Sequence, residues 1–301
     1  MNQLLEKPFW IPVLGMHRSG TSSMTRGLLA LGADLGANLM EPMPDVNPKG
    51  FWEDMDIYHL NEEMLQALGL QWYHSTPLLP AQIDLLVATG YLEKAAQLLR
   101  SKRMDQLPFA FKDPRLCRLL AFWQHVFVVV GGTVGYVLAL RNPVSIADSL
   151  QNRDGMDRTQ SYLLWLTHTL NSVLLTNSQK RVLVSYDALI KTPEAQMRRV
   201  AEHLNLTVQE DHLTKYVEDF LDKNLCHTQH SQVDLVKDPD CPAPVIGLYR
   251  DLLAVAQDRK DMDTPILRKR LKHAWKSVHS MRPLMQAMDR LLDAQRMGSQ
   301  N

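Results

Sequence analysis

The sequence predicts an α/β domain with a central parallel sheet flanked by helices, followed by a C-terminal helical extension. Three observations carry this expectation. Short apolar runs alternate along the chain with longer stretches at helical spacing, the pattern of strands joined by crossover helices. The first apolar run ends in a glycine loop that leads directly into a helical stretch. From residue 259 onward the character changes, with ten lysines and arginines against four aspartates.

Taken in order, Phe9 to Leu14 suits a buried strand, and Ser22 to Leu31 has apolar residues at helical spacing, with Gly32 and Gly36 at its end. Residues 34 to 54 read as irregular, broken by Pro42, Pro44, Pro48 and Gly50. Ile57 to Leu68 reads as a helix, and residues 81 to 103 as another, punctuated at Thr89 and Gly90. Phe109 to Lys112 is a short strand stopped by Asp113-Pro114. Leu116 to Val129 reads as helical at first and β-like at its end. Val134 to Leu140 is a buried strand stopped by Arg141-Asn142-Pro143, and Ser145 to Asn152 opens a helix. A long helix over Gln160 to Gln179, a strand over Arg181 to Ser185 and a helix over Thr192 to Leu204 follow, the last with Pro193 in its first turn. Beyond residue 258, Leu267, Leu271, Ala274, Val278, Met281 and Met285 fall on one helical face. The domain division is therefore 1–258 for the α/β body and 259–301 for a basic amphipathic helical extension. That extension suits a helix covering the body or docking on a second subunit, or a surface contact with a membrane or acidic polymer.

Composition sets limits. With 301 residues and 45% apolar residues the chain can bury a sizeable core. Acidic and basic residues balance at 33 each, which argues against a nucleic-acid partner. Cys117, Cys226 and Cys241 form neither a C-x-x-C pair nor an even disulfide framework, so a cytoplasmic setting is expected. The longest apolar stretch, Val126 to Leu140, is too short to span a bilayer and contains three glycines. A cleaved leader at the N-terminus would remove the glycine loop, so none is expected.

The loop itself reads Gly15-Met-His-Arg-Ser-Gly20-Thr21-Ser22. It nearly matches the phosphate-binding pattern G-x-x-x-x-G-K-[ST], except that Thr21 stands where the lysine belongs. A glycine loop between strand and helix still offers converging backbone N–H groups and the positive helix end to a phosphate. The missing lysine counts against a triphosphate, and Arg18 inside the loop is the available cation. A second stretch, Tyr136 to Leu150, ends a strand at Arg141 and carries Ser149 on the helix that follows. Both side chains can reach one point beyond the strand's carboxyl end, where open α/β sheets bind ligands.

Together these stretches resemble the sulfotransferase family that uses 3′-phosphoadenosine-5′-phosphosulfate (PAPS), over roughly residues 9 to 206. Arg18-Ser19-Gly20-Thr21-Ser22 is similar to that family's [KR]-S-G-[TS]-[ST] loop for the 5′-phosphosulfate. Arg141-Asn142-Pro143 with Ser149 is similar to its R-[ND]-P strand end with a serine eight residues on, which holds the 3′-phosphate. Ser185-Tyr186-Asp187-Ala188-Leu189 resembles its Y-[ED]-x-L segment, whose tyrosine lies near adenine in several relatives. The resemblance implies a P-loop-like three-layer fold and a PAPS-binding set of Arg18, Ser19, Gly20, Thr21, Ser22, Arg141, Ser149 and Tyr186, with no metal required.

It also implies sulfuryl transfer from PAPS to a hydroxyl of a carbohydrate or small metabolite. Arg18 is then the candidate for stabilising the leaving phosphate. A general base is needed, and Glu53 in the stretch NPKGFWED is favoured, beside Phe51 and Trp52 as an apolar wall that raises its pKa. Glu41, Asp54 and His59 are its rivals. Lys112 in FKDPR is a sulfuryl or substrate contact, the third catalytic candidate, and Arg115 a weaker contact for an anionic acceptor. His17 flanks the loop cation and can orient or catalyse. No metal is expected: His227 and His230 beside Cys226 are scattered loop residues, and no H-E-x-x-H spacing occurs. Two other readings stand beside this one, a P-loop kinase of small molecules and a nucleotide-binding interaction module without catalysis.

Overall fold

The computed structural model describes residues 7–43, 47–102, 107–221 and 230–298. Pro44, Cys226 and His227 lie outside the described residues, as do the two ends of the chain.

The chain forms a four-stranded, wholly parallel sheet in the order β2-β1-β3-β4. Strand β1 (Phe9–Leu14) leads through the glycine loop into α1 (Thr21–Leu28), which tightens into a 3₁₀ turn at Leu29–Leu31. Helices α2 (Met55–Ala67), α3 (Pro80–Ala88) and α4 (Tyr91–Ser101) precede β2 (Phe109–Lys112). Then come α5 (Leu116–Val130), β3 (Thr133–Leu140), α6 (Pro143–Asp154), α7 (Arg158–Leu175) and β4 (Lys180–Ser185). Helices α8 (Tyr186–Lys191), α9 (Pro193–Leu204) and α10 (Glu210–Lys215) follow, with a π-helical turn at Tyr216–Phe220. The chain ends in α11 (Gln232–Lys237), α12 (Ala243–Ala256), α13 (Pro265–Ser280) and α14 (Arg282–Gly298).

The four expected strands form where their apolar runs lie. Side chains alternate across a strand, so a sheet covered on both faces needs apolar residues at every position. Trp10 and Leu14 enter one core with Phe111, Leu138 and Leu183, while Ile11 and Val13 enter the other with Val137, Val182 and Val184. The first core packs under α5, α6, α7 and α12, the second under α1 and α9. That is a three-layer sandwich.

The segment after β2 departs from its sequence reading. Leu116 to Val130 is a single helix, without the expected β-like end. Val126 and Phe127 are buried while Val128 is 83% exposed, so the run Val126–Val130 keeps helical facing, and Gly131 at φ 70° ends it. β-branched residues are tolerated in a helix whose other face is packed.

The basic C-terminal segment is two helices, not one. Leu267, Leu271, Val278 and Met285 belong to the same core as the sheet's first face. Helix α13 packs against α7 and α12, and α14 reaches back to the segment after α2.

Candidate functional site

In a parallel sheet all strand ends point the same way. The carboxyl ends of β1, β2, β3 and β4 therefore deliver the glycine loop, Asp113-Pro114-Arg115, Arg141 and Tyr186 to one edge. The chain steps from β1 to β2 on one side and later to β3 on the other. The crevice between the ends of β1 and β3 is thus the switch point where open α/β sheets bind ligands. A cleft of about 820 Å³ opens there.

The loop is shaped by its own hydrogen bonds. Ser19 donates from its backbone N–H (3.1 Å) and its hydroxyl (2.5 Å) to the Met16 carbonyl, so its side chain holds the turn. Arg18 sits at φ 67°, a backbone conformation uncommon for a residue with a side chain. Gly20 caps α1 at φ 86°, and a Cβ there would lie 2.0 Å from the Tyr186 ring, so only glycine fits between helix and tyrosine. No side chain caps α1, and Gly20, Thr21, Ser22 and Ser23 all line the cleft. The helix's first turn therefore offers backbone donors and its positive end to whatever anion enters.

Two arginines and a serine meet around this loop. The Arg18 Nε donates to Ser149 Oγ at 2.7 Å, across 131 residues of sequence. The Arg141 Nη1 donates to the Arg18 carbonyl at 2.8 Å, and its guanidinium lies 4.8 Å from the centre of the Tyr186 ring. Burial, then the charges of Arg153 and Arg141, push the Arg18 guanidinium down from its usual value. Converging cations repel, and an incoming anion relieves that repulsion. Every residue expected on the cofactor side is brought to this corner.

The other half of the cleft is made of remote segments. Asp54 caps α2, its carboxylate accepting from Asp56 N and Ile57 N at 3.1 Å each, and this places Glu53 just before the helix. Glu53 is 7% exposed and accepts from Lys112 Nζ at 2.5 Å, while Lys112 also reaches Ser22 Oγ at 3.4 Å. Burial pushes the Glu53 carboxyl above the ordinary carboxylate range, with Lys112 pulling against it. Of the residues expected to wall it, Phe51 lines the cleft. Trp52 turns away onto Phe220 and Arg26, its ring nitrogen donating to the Lys49 carbonyl at 2.8 Å.

The rival bases do not line the cleft. Asp54 is spent on its cap and on Lys102 at 2.7 Å, His59 is exposed on α2 beside Tyr58, and Glu41 is exposed. Arg115 is held by Asp113 at 2.9 Å and by Glu62, and stacks at 4.7 Å on Tyr58. Burial alone would lower its pKa, but those two carboxylates raise it. With its charge compensated, Arg115 is a wall of the cleft.

Sequence reasoning missed two residues of this half. Trp72 lines the cleft and packs against the His17 ring at 4.8 Å, and the aromatic cluster Trp72-Tyr73-His74 between Gly69 and Pro77 was the available signal. Arg153 lies four residues after Ser149 on α6, hence on the same face one turn on, and its guanidinium stands 5.5 Å from the Trp72 ring. Burial first, then Arg115 and Arg153, push the His17 pKa well below the usual imidazole value, and its buried Nε2 has no hydrogen-bond partner.

No group of three or more histidine, cysteine or acidic side chains stands ready for a metal among the described residues. His230 is engaged with Asp148 at 2.6 Å. Nor is any helix among them long and apolar enough to cross a membrane.

No family model matches the chain, and no curated protein matches it. Among solved structures, it is similar to the sulfotransferase domain of the Synechococcus PCC 7002 olefin synthase: 18% identity, 85% of this chain and 96% of that one, TM-score 0.45. The sulfotransferase domain of the curacin biosynthetic pathway matches at 15% identity over 91% of this chain and 98% of that one, TM-score 0.43. Retinol dehydratase, solved with androsterone and the inactive cofactor PAP, matches at 12% identity over 89% and 80%, TM-score 0.35.

Proposed function

We propose that the protein is a PAPS-dependent sulfotransferase that moves a sulfuryl group to a hydroxyl of a carbohydrate or small metabolite. The observation that carries this reading is the convergence of Arg18, Ser149 and Arg141 at the β1/β3 switch point, beside a buried Glu53–Lys112 pair. Two anion-binding corners, one at the lysine-free loop and one at Arg141 and Ser149, fit a nucleotide with separate 5′ and 3′ phosphates better than a triphosphate.

In this reading PAPS is a substrate. The loop amides and Arg18 bind its 5′ end, Arg141 and Ser149 its 3′-phosphate, and Tyr186 with the Arg141 guanidinium packs near the base. The acceptor oxygen attacks sulfur in line, and its proton passes to a Glu53 oxygen. The bond from sulfur to the bridging oxygen breaks, and the nucleotide bisphosphate leaves with its new charge held by Arg18 and the α1 N-terminus. A raised carboxyl pKa suits a base that works near neutrality. When Glu53 takes the proton its charge is lost, and Lys112 is free to follow the charge onto the transferring oxygens. Phe51, Tyr58 and Trp72 line this side of the cleft with aromatic surface of the kind that packs on sugar rings or compact metabolites. A cytoplasmic setting belongs to the proposal, supported by Cys117 and Cys241 being free, buried thiols.

The test is transfer of labelled sulfate from PAPS to a panel of mono- and disaccharides, phenols and alcohols, without magnesium. Transfer to at least one hydroxyl, lost in Glu53→Gln, supports the proposal. Equal transfer in Glu53→Gln removes the carboxylate from the mechanism, and no transfer to any acceptor overturns the reading.

A further inference from the structure

A second cavity lies away from this cleft, between α3, α5, α7 and α13. It measures about 360 Å³, within the range of small-molecule sites. Leu78, Leu79, Ile83, Leu175 and Trp275 form its apolar wall. Its polar residues are unusual. Arg118 on α5 is 7% exposed and lines the cavity, yet among the described residues no carboxylate hydrogen-bonds to it. Its guanidinium donates only to the backbone carbonyls of Gln71 at 2.8 Å and Thr76 at 3.2 Å. Asp289 is its counter-charge through space only: that carboxylate accepts from the backbone N–H groups of Ser75 at 3.0 Å and Thr76 at 3.1 Å and makes no hydrogen bond to the guanidinium. Thr76 also lines the cavity, is 3% exposed, and has a buried hydroxyl with no partner.

A buried cation that no anion touches is costly even with a counter-charge nearby, and a buried hydroxyl without a partner adds to the cost. Burial accordingly pushes the Arg118 pKa down to about 10. The exposed rim holds His125 and one carboxylate, Asp84, which makes no ion pair or hydrogen bond with Arg118 among the described residues. We propose that this cavity is a second ligand site for an amphipathic organic anion: a carboxylate or sulfonate set against Arg118 and Thr76, and a hydrocarbon or aryl body against Leu78, Leu79, Ile83 and Trp275. Such a ligand gives Arg118 a directly hydrogen-bonded anion and buries apolar surface at the same time. The site touches the back of the segment whose front carries Trp72, and it is separate from the proposed PAPS cleft.

The probe is 8-anilinonaphthalene-1-sulfonate, titrated by fluorescence into the full chain with saturating 3′-phosphoadenosine-5′-phosphate (PAP) present. Saturable one-to-one binding is expected, weakened at least ten-fold in both Ala121→Phe and Leu175→Trp, which fill the cavity from its partly exposed edge. Circular dichroism checks that each variant is folded, and either one suffices. Octanoate is expected to displace the probe at a concentration at least ten-fold lower than 1-octanol does. Non-saturable binding, undiminished binding in a folded filling variant, or equal displacement by the alcohol overturns the proposal. Repeating the titration without PAP separates this site from the large cleft: a second class of probe sites that PAP removes belongs to the cleft. If PAP does not bind at all, the sulfotransferase reading fails while the filling variants still decide this one.

Discussion

The two halves of the large cleft are built differently. The half around Arg18, Arg141 and Ser149 comes from two short stretches, each at the end of a central strand, tied together by the 2.7 Å and 2.8 Å bonds between them. The half around Glu53, Lys112 and Trp72 is assembled from a capped helix start, an edge strand and a segment after α2. That segment is fastened from the far end of the chain. Asp293 on α14 accepts from the Tyr73 hydroxyl at 2.8 Å and meets His74 Nε2 at 2.8 Å, and Asp289 accepts from Ser75 N and Thr76 N. Arg282 reaches the Pro77 carbonyl at 3.3 Å. In the proposed reading the first half is a fixed grip for an anion. The second is a wall whose position depends on tertiary packing, where acceptor preference can vary without disturbing the grip.

The sharpest way to break this division is Glu53→Gln, which acts on the second half alone. Transfer is expected to fall by roughly 10²–10⁴-fold, the usual worth of a general base, while calorimetric PAP affinity stays within about two-fold. Gly20→Ala attacks the first half. The new Cβ meets the Tyr186 ring at 2.0 Å at a residue with φ 86°, so PAP affinity is expected to fall at least ten-fold, with a lowered melting temperature by circular dichroism.

Next in size is a pH effect. Glu53 must be ionised to accept a proton, so activity rises with pH as it deprotonates, and its raised pKa puts that acid limb above the ordinary carboxylate range. Lys112 favours the ionised form, so Lys112→Met is expected to move the acid limb to still higher pH. A limb that stays put in the kcat/KM profile separates Lys112 from the base. The smallest effect is expected from Asp289→Asn, which loosens the Trp72 segment. The acceptor KM should rise about three- to ten-fold with the PAPS KM unchanged, and a matched change in both would merge the two halves.

The contrast also explains what could be read from the sequence. The strands and the loop are local patterns, so Phe9 to Leu14, Val134 to Leu140 and the Gly15–Ser22 loop are visible as contiguous runs. Arg141 and Ser149 are visible because a strand end and a helix turn have fixed geometry. Glu53 and Lys112 could be named singly, but their pairing joins residues 59 apart and follows only from the packing of α2 against the sheet edge. Trp52, expected beside Glu53, points elsewhere because its own φ of 59° turns the chain toward Phe220. The clasp of α14 on residues 73–77 spans more than 200 residues. Its sequence trace is two aspartates four apart in a basic segment, a spacing that shows they share a helix face without showing what they hold.

In the proposed reading the β1/β3 corner binds a 3′,5′-bisphosphate through Arg18, Arg141 and Ser149. Calorimetric titration with PAP in the absence of magnesium tests it most directly, with ATP as the control ligand and Arg141→Ala as the parallel sample. Saturable one-to-one binding of the bisphosphate, at least ten-fold weaker binding of ATP, and loss of bisphosphate binding in folded Arg141→Ala are expected. No binding of the bisphosphate, or equal binding of magnesium-ATP, would contradict it.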